Sequence, residues 1–194
     1  MKAIIVEVKN PLTGEVLGRR EFNTDLLREY LERKHDLGMD NFGEMLRAIF
    51  TPTVRTGWVS ADVVDESGTA QTFYVKYDAG SGDRPHHFNT CYSGIYSVKI
   101  KVGDSDVAPS RDQYCLQGTV LGEAEVSASY QAGSGVVNIT ASFSWDTDQV
   151  VYEFGLFFDL GSLDVSMMLD RTVVSGGISV PAGSVLTITY QIAI

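Results

Sequence analysis

The feature that most constrains the fold is a series of short strand patterns from residue 53 to the end of the sequence. The patterns cover residues 53–65, 71–78, 95–102, 120–130, 136–145, 150–160, 165–174 and 185–194. Glycine-containing turns lie between several of them, and glycine supplies the positive φ that tight turns need. Short strands joined in this way are typical of a sandwich or jelly roll rather than of alternating β-α units. We therefore expect a mainly β protein with an antiparallel β-sandwich or jelly-roll-like domain.

The first 52 residues have a different pattern and are expected to form an appendage to this domain. Strand patterns over residues 2–9 and 15–22 flank the turn Asn10–Gly14, in which a proline and a glycine favour chain reversal. This arrangement predicts an N-terminal hairpin. We place the domain boundary after Pro52, so that the appendage covers residues 1–52 and the β-domain covers residues 53–194.

Two short helices are predicted to follow the hairpin. The sequence Asn23-Thr24-Asp25 supplies an N-cap, and apolar residues recur after it at helical spacing. A second apolar stripe covers residues 41–50 and ends before Pro52, because proline cannot continue a helix. The apolar side chains of these helices are candidates for a contact between subunits: Leu26, Leu27, Tyr30 and Phe42.

The chain is strongly acidic, and its charge is unevenly distributed. It contains 15 Lys and Arg residues against 25 Asp and Glu residues, and residues 103–194 contain only two of the basic ones. Because nucleic-acid binding requires a basic surface, we expect no nucleic-acid partner. No apolar run approaches the roughly 20 residues of a membrane span. The N-terminus also lacks the apolar core of a signal peptide, so we expect neither a membrane contact nor secretion by a signal peptide.

The residues capable of catalysis or metal binding form no recognisable site. His86, His87 and Cys91 are the densest cluster, but adjacent histidines on a strand point to opposite faces, and a zinc site needs about four convergent ligands. No G-x-S-x-G, P-loop or H-E-x-x-H motif occurs. We expect no enzyme, no catalytic residue, no cofactor and no metal. A hydrolase or metal-dependent enzyme around His86, His87 and Cys91 is the alternative.

Two further residue patterns have simpler interpretations than a site. The acids of residues 104–106 and 146–148 are spaced as in a calcium loop, but the glycine and distal glutamate of such a loop do not follow. We interpret them as turn residues. Two cysteines do not make a disulfide framework, so Cys91 and Cys115 are predicted to be free thiols, with a bond between them as the alternative.

Four segments, taken in order, carry a resemblance to a known class of proteins. They are Val102–Leu116 (VGDSDVAPSRDQYCL), Tyr152–Phe157 (YEFGLF), Leu169–Val173 (LDRTV) and Pro181–Ile192 (PAGSVLTITYQI). Their order resembles that of virion structural proteins of tailed viruses, of bacteriophage or archaeal type, which have a VGxxxxAPxxxxY loop and a closing PAGxxLTITY strand. The run Asp104-Ser105-Asp106 departs from the small residues usual in that loop.

The resemblance implies a non-enzymatic structural protein of the virion, in capsid decoration, head–tail connection or the tail. It implies a homo-oligomer that contacts major capsid, portal or connector, or tail proteins after synthesis in the host cytoplasm. The apolar strand around Phe157 and Phe158 is a further candidate interface. The alternative is a β-sandwich recognition module for a glycan or a host surface, using loops 79–90 and 103–113 and exposed aromatic residues.

Overall fold

The computed structural model describes most of the predicted β-domain and the N-terminal hairpin. The described residues are 3–22, 56–78, 95–109, 113–131, 133, 135–160 and 165–193. Within them the chain forms the strands β1 (Ala3–Lys9), β2 (Val16–Phe22), β3 (Thr56–Val64), β4 (Ala70–Asp78), β5 (Ile95–Gly103), β6 (Val120–Glu125), β7 (Ser127–Gln131), β8 (Val136–Ser144), β9 (Gln149–Leu160), β10 (Val165–Val180) and β11 (Val185–Ala193).

The strands form three antiparallel sheets. A five-stranded sheet has the order β2-β1-β11-β8-β7, a four-stranded sheet has the order β10-β9-β5-β6, and β3 and β4 form a separate hairpin. The mainly β, antiparallel fold is thus confirmed. The two predicted helices lie outside the described residues. No helix long and apolar enough to cross a bilayer occurs in the ranges described above.

One apolar core lies between the two larger sheets. Strands β1 and β11 contribute Ile4, Val6, Leu186 and Ile188, while β5 and β9 contribute Ile100, Val102 and Phe154, and all of these side chains are buried. Period-two alternation explains the arrangement, because alternate residues of each strand point to the same face. Full burial of one such side chain stabilises the folded state by about 1.5–3 kcal/mol.

The N-terminal hairpin belongs to the five-stranded sheet. Strand β1 pairs with β11 over its whole length, with Val6 opposite Ile188, and β2 continues the sheet on its other side. The hairpin therefore shares one sheet with β11, the last strand of the predicted β-domain. The predicted boundary after Pro52 lies outside the described residues.

The predicted strand over residues 120–130 is two strands that belong to different sheets. β6 pairs with β5 in the four-stranded sheet, and β7 pairs with β8 in the five-stranded sheet. Val126 lies at the crossing, where its backbone N–H donates to the carbonyl of Val98 at 3.0 Å. The chain thus joins the two sheets along one side of the molecule.

Strand β10 is longer than its pattern indicates. It continues past the predicted end at Val174 to Val180, and its register with β9 shifts between Val173 and Ile178. Gly176 and Gly177 have φ of 76° and 67° within this irregularity. Glycine adopts such angles without the steric penalty of a Cβ atom, so the strand can bulge and resume pairing.

Candidate functional site

Three of the four resemblance segments meet at one buried ion pair. Glu153 lies on β9 and Arg171 on the neighbouring strand β10, and their side chains are 0% and 2% exposed. The Nε atom of Arg171 donates to Oε2 of Glu153 at 2.6 Å. This pair lies beneath the loop 104–119, whose residues 104–116 belong to the first segment. We call Glu153, Arg171 and Gln113 the clamp.

Arg171 uses the rest of its guanidinium to hold the loop. Its Nη1 donates to Oε1 of Gln113 at 2.7 Å, and its Nη2 donates to the carbonyl of Val107 at 3.0 Å. A planar guanidinium presents its donors in a fixed fork, so one side chain can fix two points of a loop. Arg171 therefore connects β10 with both ends of the segment 107–113.

Glu153 holds the later part of the same loop. Its Oε1 accepts from the N–H of Gly118 at 2.7 Å, and its Oε2 accepts from the N–H of Gln117 at 3.1 Å. A Cβ atom at Gly103 would stand 2.7 Å from Oε1 of Glu153, so the glycine of the VG motif leaves the space that the carboxylate occupies. Loss of one partner of a buried pair held in this way is costly, because the other charge remains buried without compensation.

The chemistry near the clamp is not that of an activated nucleophile. Cys115 is a half-buried free thiol, and burial, followed by the negative charges of Glu66 and Glu153, raises its pKa. A reactive cysteine needs a lowered pKa and an electropositive surrounding. Within the ranges that the structure describes, no group of three or more His, Cys, Asp or Glu residues could hold a metal ion.

A second group of charges fastens the β3–β4 hairpin to the four-stranded sheet. Nζ of Lys101 lies 2.7 Å from Oε2 of Glu66 and 4.7 Å from the centre of the Phe157 ring. The N–H of Glu66 also donates to the carbonyl of Ser166 at 2.9 Å. The turn before β4 is itself held by Asp65, whose carboxylate accepts from the N–H groups of the two residues Ser67 and Thr69.

Lys99 and Asp159 form a further ion pair on the same face of the sheet. Nζ of Lys99 lies 2.8 Å from Oδ2 of Asp159. The hydrogen bond to Asp159 raises the pKa of Lys99. Burial would raise the pKa of Asp159, but hydrogen bonds from Lys99 and Ser97 outweigh it and lower that pKa. This face of the sheet is therefore covered by paired charges.

A buried polar contact also joins the two larger sheets. The hydroxyl of Tyr190 on β11 donates to Oδ2 of Asp170 on β10 at 2.9 Å, and Thr172 donates to the same oxygen at 3.2 Å. Burial, followed by the nearby charge of Asp170, raises the pKa of Tyr190 well above its usual value. The pair aligns β10 with β11 across the core.

The outer face of the five-stranded sheet presents a row of hydroxyl and amide groups. Cross-strand hydrogen bonds join Thr140 to Thr189 at 3.1 Å, Ser142 to Thr187 at 3.2 Å, and Gln191 to Asn138 at 3.2 Å. We call these six residues the hydroxyl–amide face. Their side chains are half-buried or exposed, so they remain in contact with solvent.

The predicted interface residues have different outcomes. Leu26, Leu27, Tyr30 and Phe42 lie outside the described residues. Phe157 is 0% exposed and packs with Leu116 and Met168, so it belongs to the interior of the subunit and not to a surface between subunits. The physical reason is that the clamped loop places Leu116 over this face of β9. Phe158 is half-buried against the main core.

Some of the other candidate residues lie outside the described residues and some lie within them. His86, His87, Cys91 and the loop 79–90 lie outside the described residues. In the acid patterns, Asp104 accepts from the N–H of Thr119 at 2.6 Å and Asp148 accepts from the N–H of Ala182 at 2.8 Å. These bonds join each aspartate to a distant part of the chain, so the interpretation as local turn residues stays a prediction.

Sequence reasoning missed the clamp. One signal was present, because Arg171 is one of two basic residues in the last 92 and stands inside a strand pattern rich in large apolar residues. A buried charge is almost always paired, so an arginine buried at this position would require an acidic partner. The partner could not be identified, because the pairing of β9 with β10 is not contained in the spacing of either strand.

Comparison of the chain with models of protein families, with curated proteins and with solved structures finds no match in any of the three. The functional argument therefore depends on the residues of this chain.

Proposed function

We propose that this chain is a non-enzymatic structural protein of a tailed-virus particle, acting in capsid decoration, in the head–tail connection or in the tail. Its two larger sheets would form the β-sandwich of that protein, in a jelly-roll-like arrangement. Other copies of the chain and the major capsid, portal or connector, or tail proteins would be its partners. Its place of action would be the virion.

The observation that carries the proposal is the convergence of the resemblance segments on the clamp. Val107 and Gln113 of the first segment, Glu153 of the second and Arg171 of the third are joined by hydrogen bonds of 2.6–3.0 Å. The pattern that resembles virion proteins is thus a structural pattern, in which each charged group of the clamp is used to hold a loop. Such a pattern supports the function of a building block rather than that of a catalyst.

The surface charge is consistent with assembly among other proteins. Nine acidic side chains are exposed among the described residues, against two exposed cationic side chains, Arg19 and Arg20. An acidic surface keeps a protein soluble at high local concentration and attracts basic surfaces of neighbours.

Mass spectrometry of gradient-purified virus particles tests the proposal. We expect peptides of this chain to co-purify with the major capsid protein at a fixed ratio, and a non-structural viral protein from the same lysate serves as the control. Abundance in the lysate with absence from the particles would overturn the proposal.

A second candidate function, recognition of a glycan, is favoured by the hydroxyl–amide face. Hydroxyl and amide groups are the partners that sugar hydroxyls bind, and six of them lie side by side on one sheet face. A glycan array with the purified chain and with a triple variant, N138A/T140A/T189A, tests this function. We expect about a 10-fold loss of binding in the triple variant, whereas S179A on β10 should have no effect; no glycan bound by the parent chain would exclude it.

A further inference from the structure

The edges of the two larger sheets lie on two sides of the molecule. The two sides differ in how the sheets are connected there. On one side β2 lies beside β10, where Nη1 of Arg20 donates to the carbonyl of Ser175 at 3.0 Å. On the other side β7 follows directly on β6 through the crossing at Val126. Among the described strands, none pairs with the outer edge of β2 or of β7. Both edges are thus open as far as the described strands go.

Both edge strands are exposed to solvent. Residues 16–21 of β2 are all exposed, with Val16 and Leu17 at 47% and 49%. Residues 127–130 of β7 are exposed too, and Tyr130 is 56% exposed. Proteins commonly protect an edge with charged residues, proline or a bulge. The β7 sequence SASYQ has no charge and no proline, and its pairing with β8 runs without a bulge.

The net charges of the exposed side chains on β2 and on β6 are of opposite sign. Arg19 and Arg20 on β2 are the exposed cations among the described side chains, and Glu21 on the same strand is an exposed acid 3.5 Å from Arg19, so β2 has a net positive charge. Glu123 and Glu125 are exposed on β6, next to the β7 edge, and Glu123 also pairs with two lysines of β5 at 3.6 and 3.8 Å. Two copies joined through β7 alone would bring these glutamates together, and like charges oppose association. A contact between β2 of one copy and the β6–β7 side of another brings opposite charges together.

We propose that copies of this chain associate head to tail, with the β2 edge of one copy adding to the β7 edge of the next. Every neighbouring pair in the five-stranded sheet is antiparallel, so β2 and β7 run in the same direction, four strands apart. Successive copies in one orientation would pair these edges in parallel and extend the sheet from copy to copy. The biological setting of this contact rests on the proposed function, whereas the contact itself is a property of the pure chain.

A head-to-tail contact has a consequence for assembly. An open head-to-tail assembly always has one free β2 edge at one end and one free β7 edge at the other. Association therefore continues until a ring closes or a filament forms. A contact that pairs an edge with itself would end at a dimer. The two arrangements can be distinguished with variants that block one edge only.

The test uses two variants of the full chain, R19E/R20E and E123K/E125K, each measured alone and in a 1:1 mixture by size-exclusion chromatography with light scattering. We expect the parent chain to form closed rings or larger assemblies that weaken as the salt concentration rises. Each variant alone should associate about 10-fold or more weakly, because its altered edge repels the other edge of the next copy. The mixture should recover assembly, since both kinds of junction between the two variants join opposite charges: the intact β2 edge meets the intact β6–β7 side, and the two charge-reversed edges meet each other.

The control variant D106K/D146K has the same charge change as E123K/E125K at exposed residues outside the edges. It should assemble like the parent chain, and equal unfolding temperatures establish that the variants are folded. If R20E disturbs the contact with Ser175, then the single substitution Arg19→Glu replaces the double variant. A parent chain that is monomeric at high concentration, or a mixture that assembles no more strongly than either variant alone, overturns the inference. Neither result affects detection of the chain in virus particles, which tests the proposed function separately.

Discussion

Arg171 and Glu153 stand on neighbouring strands and meet at 2.6 Å beneath a loop that both of them hold. Both side chains are buried, and each uses its remaining polar atoms on the backbone or side chains of residues 107–118. These contacts hold β9, β10 and the loop 104–119 together. It also covers Phe157, whose ring would otherwise lie at the surface of the sheet.

Replacement of Arg171 with methionine should lower the free energy of unfolding by about 3–5 kcal/mol, because Glu153 would remain buried without its partner. Urea unfolding followed by tryptophan fluorescence measures the change. Arg19→Met is the matched control: Arg19 is exposed on β2, so its replacement should change stability by about 0.5 kcal/mol or less. A loss below about 1 kcal/mol for Arg171→Met would contradict the structural role of the clamp.

Two glycines with positive φ should respond differently to alanine. Gly183 has φ of 73° with no atom within 4 Å of an added Cβ, so Gly183→Ala should cost about 1 kcal/mol from backbone strain alone. At Gly177 the added Cβ would stand 2.6 Å from Cγ1 of Val150, so Gly177→Ala should cost more. Thermal unfolding of both variants measures the difference, and equal losses would show that the register shift of β10 is not closely packed.

The hydroxyl of Tyr190 should stabilise the contact between the sheets. Tyr190→Phe leaves Asp170 without this donor and should lower the free energy of unfolding by about 1–3 kcal/mol at neutral pH. Burial raises the pKa of Tyr190 in the folded state, so its contribution is complete below the usual tyrosine pKa and is lost as the pH rises above it. Urea unfolding between pH 8 and pH 11, a window set by the ordinary value of about 10, should therefore show a smaller alkaline decline in the variant than in the parent chain. Parallel declines would contradict the buried position of this hydroxyl.

Asp65 should contribute to stability in an acid-sensitive manner. Burial would raise the pKa of its carboxyl, but hydrogen bonds from Ser67, Gln71 and Thr69 lower it below the ordinary value. The contribution of a carboxylate with a lowered pKa is present above the unfolded-state pKa and is lost as the pH falls through the folded-state value. Asp65→Asn should thus lower the free energy of unfolding at pH 7. Below about pH 4 the free energy of unfolding of this variant should fall less steeply with pH than that of the parent chain. Asp62→Asn, on the exposed side of the same hairpin, is the control. If the free energy of unfolding of Asp65→Asn falls as steeply in acid as that of the parent chain, the stabilising role of the Asp65 carboxylate is refuted.

The turns illustrate what could be predicted from local residues. At Asn10–Gly14 the Asn10 carboxamide oxygen accepts from the N–H of Leu12 at 2.9 Å, and Gly14 has φ of 71°. At Pro181–Gly183 the carbonyl of Pro181 accepts from the N–H of Ser184 at 3.0 Å. Both turns were expected from asparagine, proline and glycine, because the bonds that make them join residues a few positions apart.

The amino-acid sequence by itself determined the local features of this protein: where most strands lie, the end of β10 excepted, which side chains share a strand face, and where the chain turns. Tertiary structure alone decided the rest. It assigned β1 to β11, divided residues 120–131 between two sheets, buried Phe157 and joined Arg171 to Glu153. The physical reason is that a period of two defines the two faces of a strand but not its neighbours or what covers each face, and these depend on contacts between residues far apart in the chain.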